Sequence, residues 1–133
     1  MLDGQHQKRS DLDSHDWVTG LTIHQAVREL ARILGATTVA VIGGVKEARA
    51  VQQWMADREP QRPHVIRFAL QLATMLADGA GGEFAKAWFH AANPRLDDRI
   101  PMFMLRDLPL EDVQAPMLRA ARAFAARNAG DSS

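Results

Sequence analysis

The chain has 133 residues, 47% of them apolar, and 16 basic side chains balance 16 acidic ones. That is enough for one compact unit, or for two small ones sharing a core. Zero net charge argues against a generic polyanion binder while leaving room for a local basic face. The absence of cysteine excludes disulfides and thiolate metal sites and suits a reducing cytoplasm. No apolar run approaches the roughly 20 residues that cross a bilayer, and the polar N-terminus lacks a signal-peptide core. Helix formers dominate and β-branched residues cluster only at Thr37 to Ile42, so an all-α fold is expected.

In chain order, residues 1–16 are polar and charged. They cannot bury enough apolar surface to offset their ordering entropy, and a disordered arm is expected. His6 and His15 read as solvated. Residues 17–60 form the next region. Thr22, with Gln25 three residues on, is a capping-box start. Ile23, Ala26, Val27, Leu30, Ala31 and Leu34 fall on one helical face, and Gly35 ends that helix. His24 reads as a surface histidine. Ala36 to Ile42 is a short apolar segment whose periodicity fits one or two helical turns or a strand. Its setting favours helix, because Gly43-Gly44 then breaks the chain before Lys46 to Met55. Helix, turn, short helix, turn, helix is the spacing of a helix-turn-helix. Ala48, Val51, Trp54 and Met55 form the apolar stripe of its third helix. Lys46, Arg49, Gln52 and Gln53 occupy the other side, and these residue types bond base edges and phosphates. The bland alternative is a solvated polar face, and Glu47 and Asp57 would oppose phosphate.

Arg58 to Pro63 is a polar linker through which no helix runs, and residues 61–133 form the second region. Val65, Ile66, Phe68, Ala69, Leu72, Ala73, Met75 and Leu76 predict a central helix that ends at Asp78 to Gly82. The next helix runs from about Glu83 to Ala91, with Phe84, Ala87, Trp88 and Ala91 on one face. His90 is placed to bond the last carbonyls. Asn93-Pro94 stops the helix, because the residue before proline is pushed out of the α region. Arg95 to Arg99 is a polar loop, and Ile100-Pro101 opens a new helix with Met102, Phe103, Met104 and Leu105. Asp107 to Asp112 is a connection. A last helix begins at Ala115 or Pro116 and reaches about Asn128, with Met117, Leu118, Ala121, Phe124 and Ala125 as its stripe.

Trp88, Asn93, Pro94, Leu96, Arg99, Pro101 and Leu105 together form a pattern that resembles the toxin-binding domain of the Xre/MbcA/ParS antitoxin family. That signature reads Trp, a few residues, Asn-Pro, any residue, Leu, two usually small residues, Arg, any residue, Pro, then an apolar run ending in Leu. The chain departs from it at Asp97-Asp98, where glycine is usual, and at Met102, where leucine is usual. The likeness spans residues 21–127. It implies an N-terminal Xre-like helix-turn-helix bundle merged with a C-terminal toxin-binding domain. It also implies an antitoxin of a bacterial type II toxin–antitoxin pair, whose partner is a RES-domain toxin that degrades NAD. The antitoxin's C-terminal half would cover or enter the toxin's NAD cleft, with no cofactor of its own.

Within that signature Trp88, Leu96 and Leu105 read mostly as structural. The exposed Arg95, Asp97, Asp98 and Arg99, together with Arg119 and Arg122, are the candidates for toxin contact, since arginines offer bidentate pairs. The resemblance further implies dimerisation and repression of the antitoxin's own operon through operator DNA. A second class of function is a transcription regulator whose C-terminal half only dimerises. A third is a neutralising module that binds no DNA. No enzyme is expected: the sequence has no Gly-rich phosphate loop, no metal-ligand spacing and no Ser/His/Asp constellation. A cytoplasmic protein without a membrane segment is the expected setting.

Overall fold

A computed structural model describes residues 11–130. Among them every regular element is helical, and no helix is long and apolar enough to cross a membrane. The helices are α1 (Asp11–Thr19), α2 (Ile23–Leu34), α3 (Ala36–Gly43), α4 (Ala48–Ala56), α5 (Pro63–Ala80), α6 (Gly82–His90), α7 (Pro101–Asp107) and α8 (Leu110–Gly130). A single 3-10 turn, Pro94–Leu96, lies between α6 and α7.

The expected arm divides. Residues 1–10, including His6, lie outside the described residues, but 11–16 belong to α1. The correction has a local cause. Val18 is buried against the core, and the Arg67 guanidinium donates to the carbonyls of Val18 (3.1 Å) and Leu21 (2.8 Å), so α5 holds the end of α1 in place. The capping box forms as expected: Thr22 Oγ1 accepts from the Gln25 amide (3.1 Å) and Gln25 Oε1 accepts from the Thr22 amide (2.8 Å). Ile23, Ala26, Val27, Leu30 and Leu34 are buried, so the periodicity of α2 identifies its inner face correctly.

The short apolar segment from Ala36, expected to be helical from its setting, is helix α3. Gly43 is required where α3 meets α4, since a Cβ there would lie 2.6 Å from the Trp54 ring. Helix α4 starts at Ala48 rather than at Lys46, because Glu47 is extended (φ −124°, ψ 140°). Lys46 therefore stands in the preceding turn.

Helix α5 begins with Pro63 in its first turn, where the missing N–H is an orphan in any case. Its buried residues point all round: Val65, Ile66, Phe68, Ala69, Leu70, Leu72, Ala73, Thr74, Met75 and Leu76. A helix apolar on every side must be surrounded, and α1, α2, α3, α6 and α8 all pack on α5. One apolar core runs through both expected regions, from Val18 to Ala121.

Two further expectations are corrected. Helix α8 starts at Leu110, six residues before Pro116, so the proline sits inside the helix. Proline removes the bond to the carbonyl four residues back. That carbonyl belongs to Asp112, an exposed residue, while Val113 and Met117 on either side of Pro116 are buried and hold the helix down. His90 does not close α6. Its Nε2 lies 2.8 Å from Thr38 Oγ1 on α3, tying the two regions together across a buried threonine.

Candidate functional site

The corner between α6 and α7 is built on Asn93. Its carbonyl accepts from the amides of Leu96 (2.9 Å) and Asp98 (2.9 Å), and its own amide donates to the Arg99 carbonyl (3.1 Å). Its side-chain Oδ1 accepts from the Arg95 amide (2.9 Å), the fold-back expected of asparagine before a turn. Leu96 and Leu105 are buried beneath the corner, as the structural reading of these positions requires. Pro101 is buried in the first turn of α7.

Asp97 (φ 59°) and Asp98 (φ 62°) are the non-glycine residues with positive φ among those described. Left-handed backbone costs roughly 1–2 kcal/mol for an ordinary L-residue and less for aspartate. Both side chains are exposed. Asp98→Gly is therefore expected to raise the unfolding free energy by about 0.5 kcal/mol, and Asp98→Val to lower it by more than that. Urea unfolding of the two variants checks this; a Val variant as stable as wild type would mean the corner is soft.

Arg95, Asp97, Asp98 and Arg99 are all exposed around this corner. Arg99 is partly engaged: its Nε donates to the Leu96 carbonyl (3.1 Å) and a terminal nitrogen lies 3.6 Å from Asp97. Arg119 and Arg122 do not join the groove beside the corner. At about 100° per residue along α8 they stand about 100° and 160° around the helix from Ala120, which with Phe124 and Arg127 faces the groove. On the far side of the corner Arg106 forms a fork with Asp107 (2.6 and 2.8 Å) and lies over the Phe103 ring. That hydrogen bond, with the Arg106 and Arg62 charges, holds the Asp107 carboxyl below the usual carboxylate range.

The inner face expected of α6 is corrected. Ala85, Trp88 and Phe89 are the buried residues, whereas Phe84 is 54% exposed and Ala87 and Ala91 are exposed. Both sets have helical spacing, and only the position of α5 and α2 selects between them. The consequence is a groove of about 390 Å³ between α6, the 3-10 turn and α8. Its floor is Phe84, Ala87, Trp88, Ala91, Ala120 and Phe124, and Arg95 and Arg127 stand at its edge. Of this lining the sequence singles out Arg95 as an exposed loop residue and Trp88 as a structural one, and it does not mark Phe84, Phe124 or Arg127 as site residues. The one available signal was the excess of aromatics in a short helix.

Arg49, Gln52 and Gln53 are exposed on α4, and Lys46 is exposed in the turn before it. Exposed Glu47 and Asp57 flank the same helix. Among the described residues no three metal-binding side chains converge. No protein-family model, curated protein or solved structure matches the chain.

Proposed function

We propose that the chain is the antitoxin of a bacterial type II toxin–antitoxin pair, and that it blocks a RES-domain, NAD-degrading toxin by direct binding. The reading rests on the residues of the Trp88-to-Leu105 signature. The observation that supports it best concerns Asp97 and Asp98. At these two positions the resembled signature usually carries glycine, and here both adopt the left-handed backbone that glycine favours. The sequence departs from the signature there while the backbone keeps the conformation that glycine would explain. Inhibition is steric in this reading, with corner arginines pairing to acidic groups of the toxin.

The test is co-expression with the product of the adjacent gene, followed by affinity purification and an assay of cellular NAD. The neighbour should co-purify and should deplete NAD only when this chain is absent. Arg95→Glu combined with Arg99→Glu should weaken toxin binding by about tenfold or more while leaving helicity intact by circular dichroism. Unchanged affinity would remove the corner from the interface. If no neighbour co-purifies and the chain instead shifts its own promoter fragment, it is a transcription regulator with a dimerising C-terminal half. Autorepression is a separable part of the reading and would run through Lys46, Arg49, Gln52 and Gln53. It predicts operator binding that falls steeply with salt.

A further inference from the structure

We propose that the groove between α6, the 3-10 turn and α8 is a docking site for one segment of a partner protein. That segment presents an aromatic or aliphatic anchor flanked by acidic side chains. Under the antitoxin reading, on which the partner's identity rests, it belongs to the toxin.

Three observations carry the proposal. The first is exposure: Phe84, at 54%, is the large apolar side chain most open to water among the described residues, and it borders the groove. The second is volume. About 390 Å³ lies at the small end of the range for binding sites, which suits one or two anchoring side chains rather than a whole helix face. The third is charge. Both charged residues of the lining are arginines, and neither guanidinium has a hydrogen-bond or ion-pair partner among the described residues. Three other depressions on the molecule mix the signs: Arg99 with Asp98 and Asp107, Arg32 and Lys86 with Asp78 and Glu83, Arg28 with Glu29.

An apolar floor with two arginines at its edge, unpaired among the described residues, fits the pattern of a desolvated anchor inside a charge-selecting rim. The same charge argues against a second copy of this chain. A two-fold contact through the groove would bring Arg95 and Arg127 of each copy to a lining that offers no carboxylate in return. An acidic partner supplies that carboxylate, and each arginine can take it bidentately.

The experiment selects a phage-displayed library of random peptides on the full chain. The counter-bait is the double variant Phe84→Lys with Arg127→Glu, both exposed positions, checked for an unchanged thermal melt. The selected peptides should combine Phe, Leu, Ile or Trp with Asp or Glu. A synthetic representative should bind the wild-type chain, weaken with salt, and lose about tenfold or more in affinity on the variant. Titration into the wild-type chain should shift the methyl resonances of Ala87, Ala91 and Ala120, a readout that does not depend on the variant folding.

Recovery of neutral or basic peptides, recovery of none, equal binding to both baits, or methyl shifts confined to other alanines would overturn the proposal. So would sedimentation that shows a wild-type dimer turned monomeric by the double variant, since the occupant would then be a second copy. The two readings fail separately. A toxin that binds wild type and variant alike ends the groove proposal and leaves the antitoxin standing. Groove-binding acidic peptides with no co-purifying toxin would do the reverse.

Discussion

Trp88→Ala is expected to lower the unfolding free energy by about 3–5 kcal/mol, the range for removing a buried aromatic ring. Trp88 is 4% exposed and meets Phe89 edge to face, with ring centroids 5.2 Å apart and planes at 80°. It forms part of the groove floor on one side and part of the core on the other. Trp88→Phe is a sharper probe, because the indole Nε1 is buried with no hydrogen-bond partner among the described residues. An unpaired buried donor costs about 1–3 kcal/mol, and phenylalanine removes that cost while giving up part of the ring volume. The two effects oppose, so Trp88→Phe is expected to change stability by less than about 1.5 kcal/mol. Urea unfolding followed by far-UV circular dichroism separates the cases and avoids the signals of Trp17 and Trp54. A phenylalanine variant as unstable as the alanine one would mean that ring volume alone matters at this position. The variants also divide fold from binding: Trp88→Ala removes core and groove floor together and should act chiefly on stability, whereas the Phe84 and Arg127 changes should alter binding at the groove at unchanged stability.

The elements that were legible in the sequence are those decided by neighbours along the chain. The Thr22–Gln25 box, the inner stripe of α2 and the Asn93 fold-back all involve partners within a few residues. The breadth of the apolar pattern over Val65 to Leu76 also marked α5 as central. What the sequence could not show was decided between elements. In α6, Phe84, Trp88 and Phe89 leave two apolar arcs at helical spacing, and packing on α5 and α2 chooses the arc with Ala85 and Phe89. That choice leaves Phe84 outside and creates the groove. Pro116 stays inside α8 because Val113 and Met117 are buried beside it, a compensation that local propensity does not contain. His90 finds Thr38, 52 residues away. On α8 it is Arg127 that lines the groove, while Arg119 and Arg122 lie outside its lining, a division that depends on how α8 packs.

Arg62 is the clearest case of a residue whose role only the fold reveals, and Arg62→Met is expected to cost about 2–4 kcal/mol. In the sequence it is one polar residue of a linker. In the structure its guanidinium donates to the carbonyls of Ile42 (3.1 Å), Arg106 (3.0 Å) and Leu105 (2.8 Å). Ile42 is in the last turn of α3, and Leu105 and Arg106 are in the last turn of α7. Carbonyls there have no partner within their own helix, and the helix dipole favours a cation beside them. One side chain thus closes the ends of two helices while standing directly before Pro63, the first residue of α5. It fastens the expected DNA-side helices to the signature corner through α7. Methionine keeps much of the length and apolar stem but leaves those carbonyls to water or to nothing. Arg62→Lys keeps the charge and loses the fork, so it should recover less than half of the lost stability. Equilibrium urea unfolding measures both variants, and hydrogen exchange should show the last turns of α3 and α7 opening together. A lysine variant equal to wild type would mean that charge at the two helix ends suffices. Exchange that rises in α7 alone would mean that the guanidinium does not couple the halves.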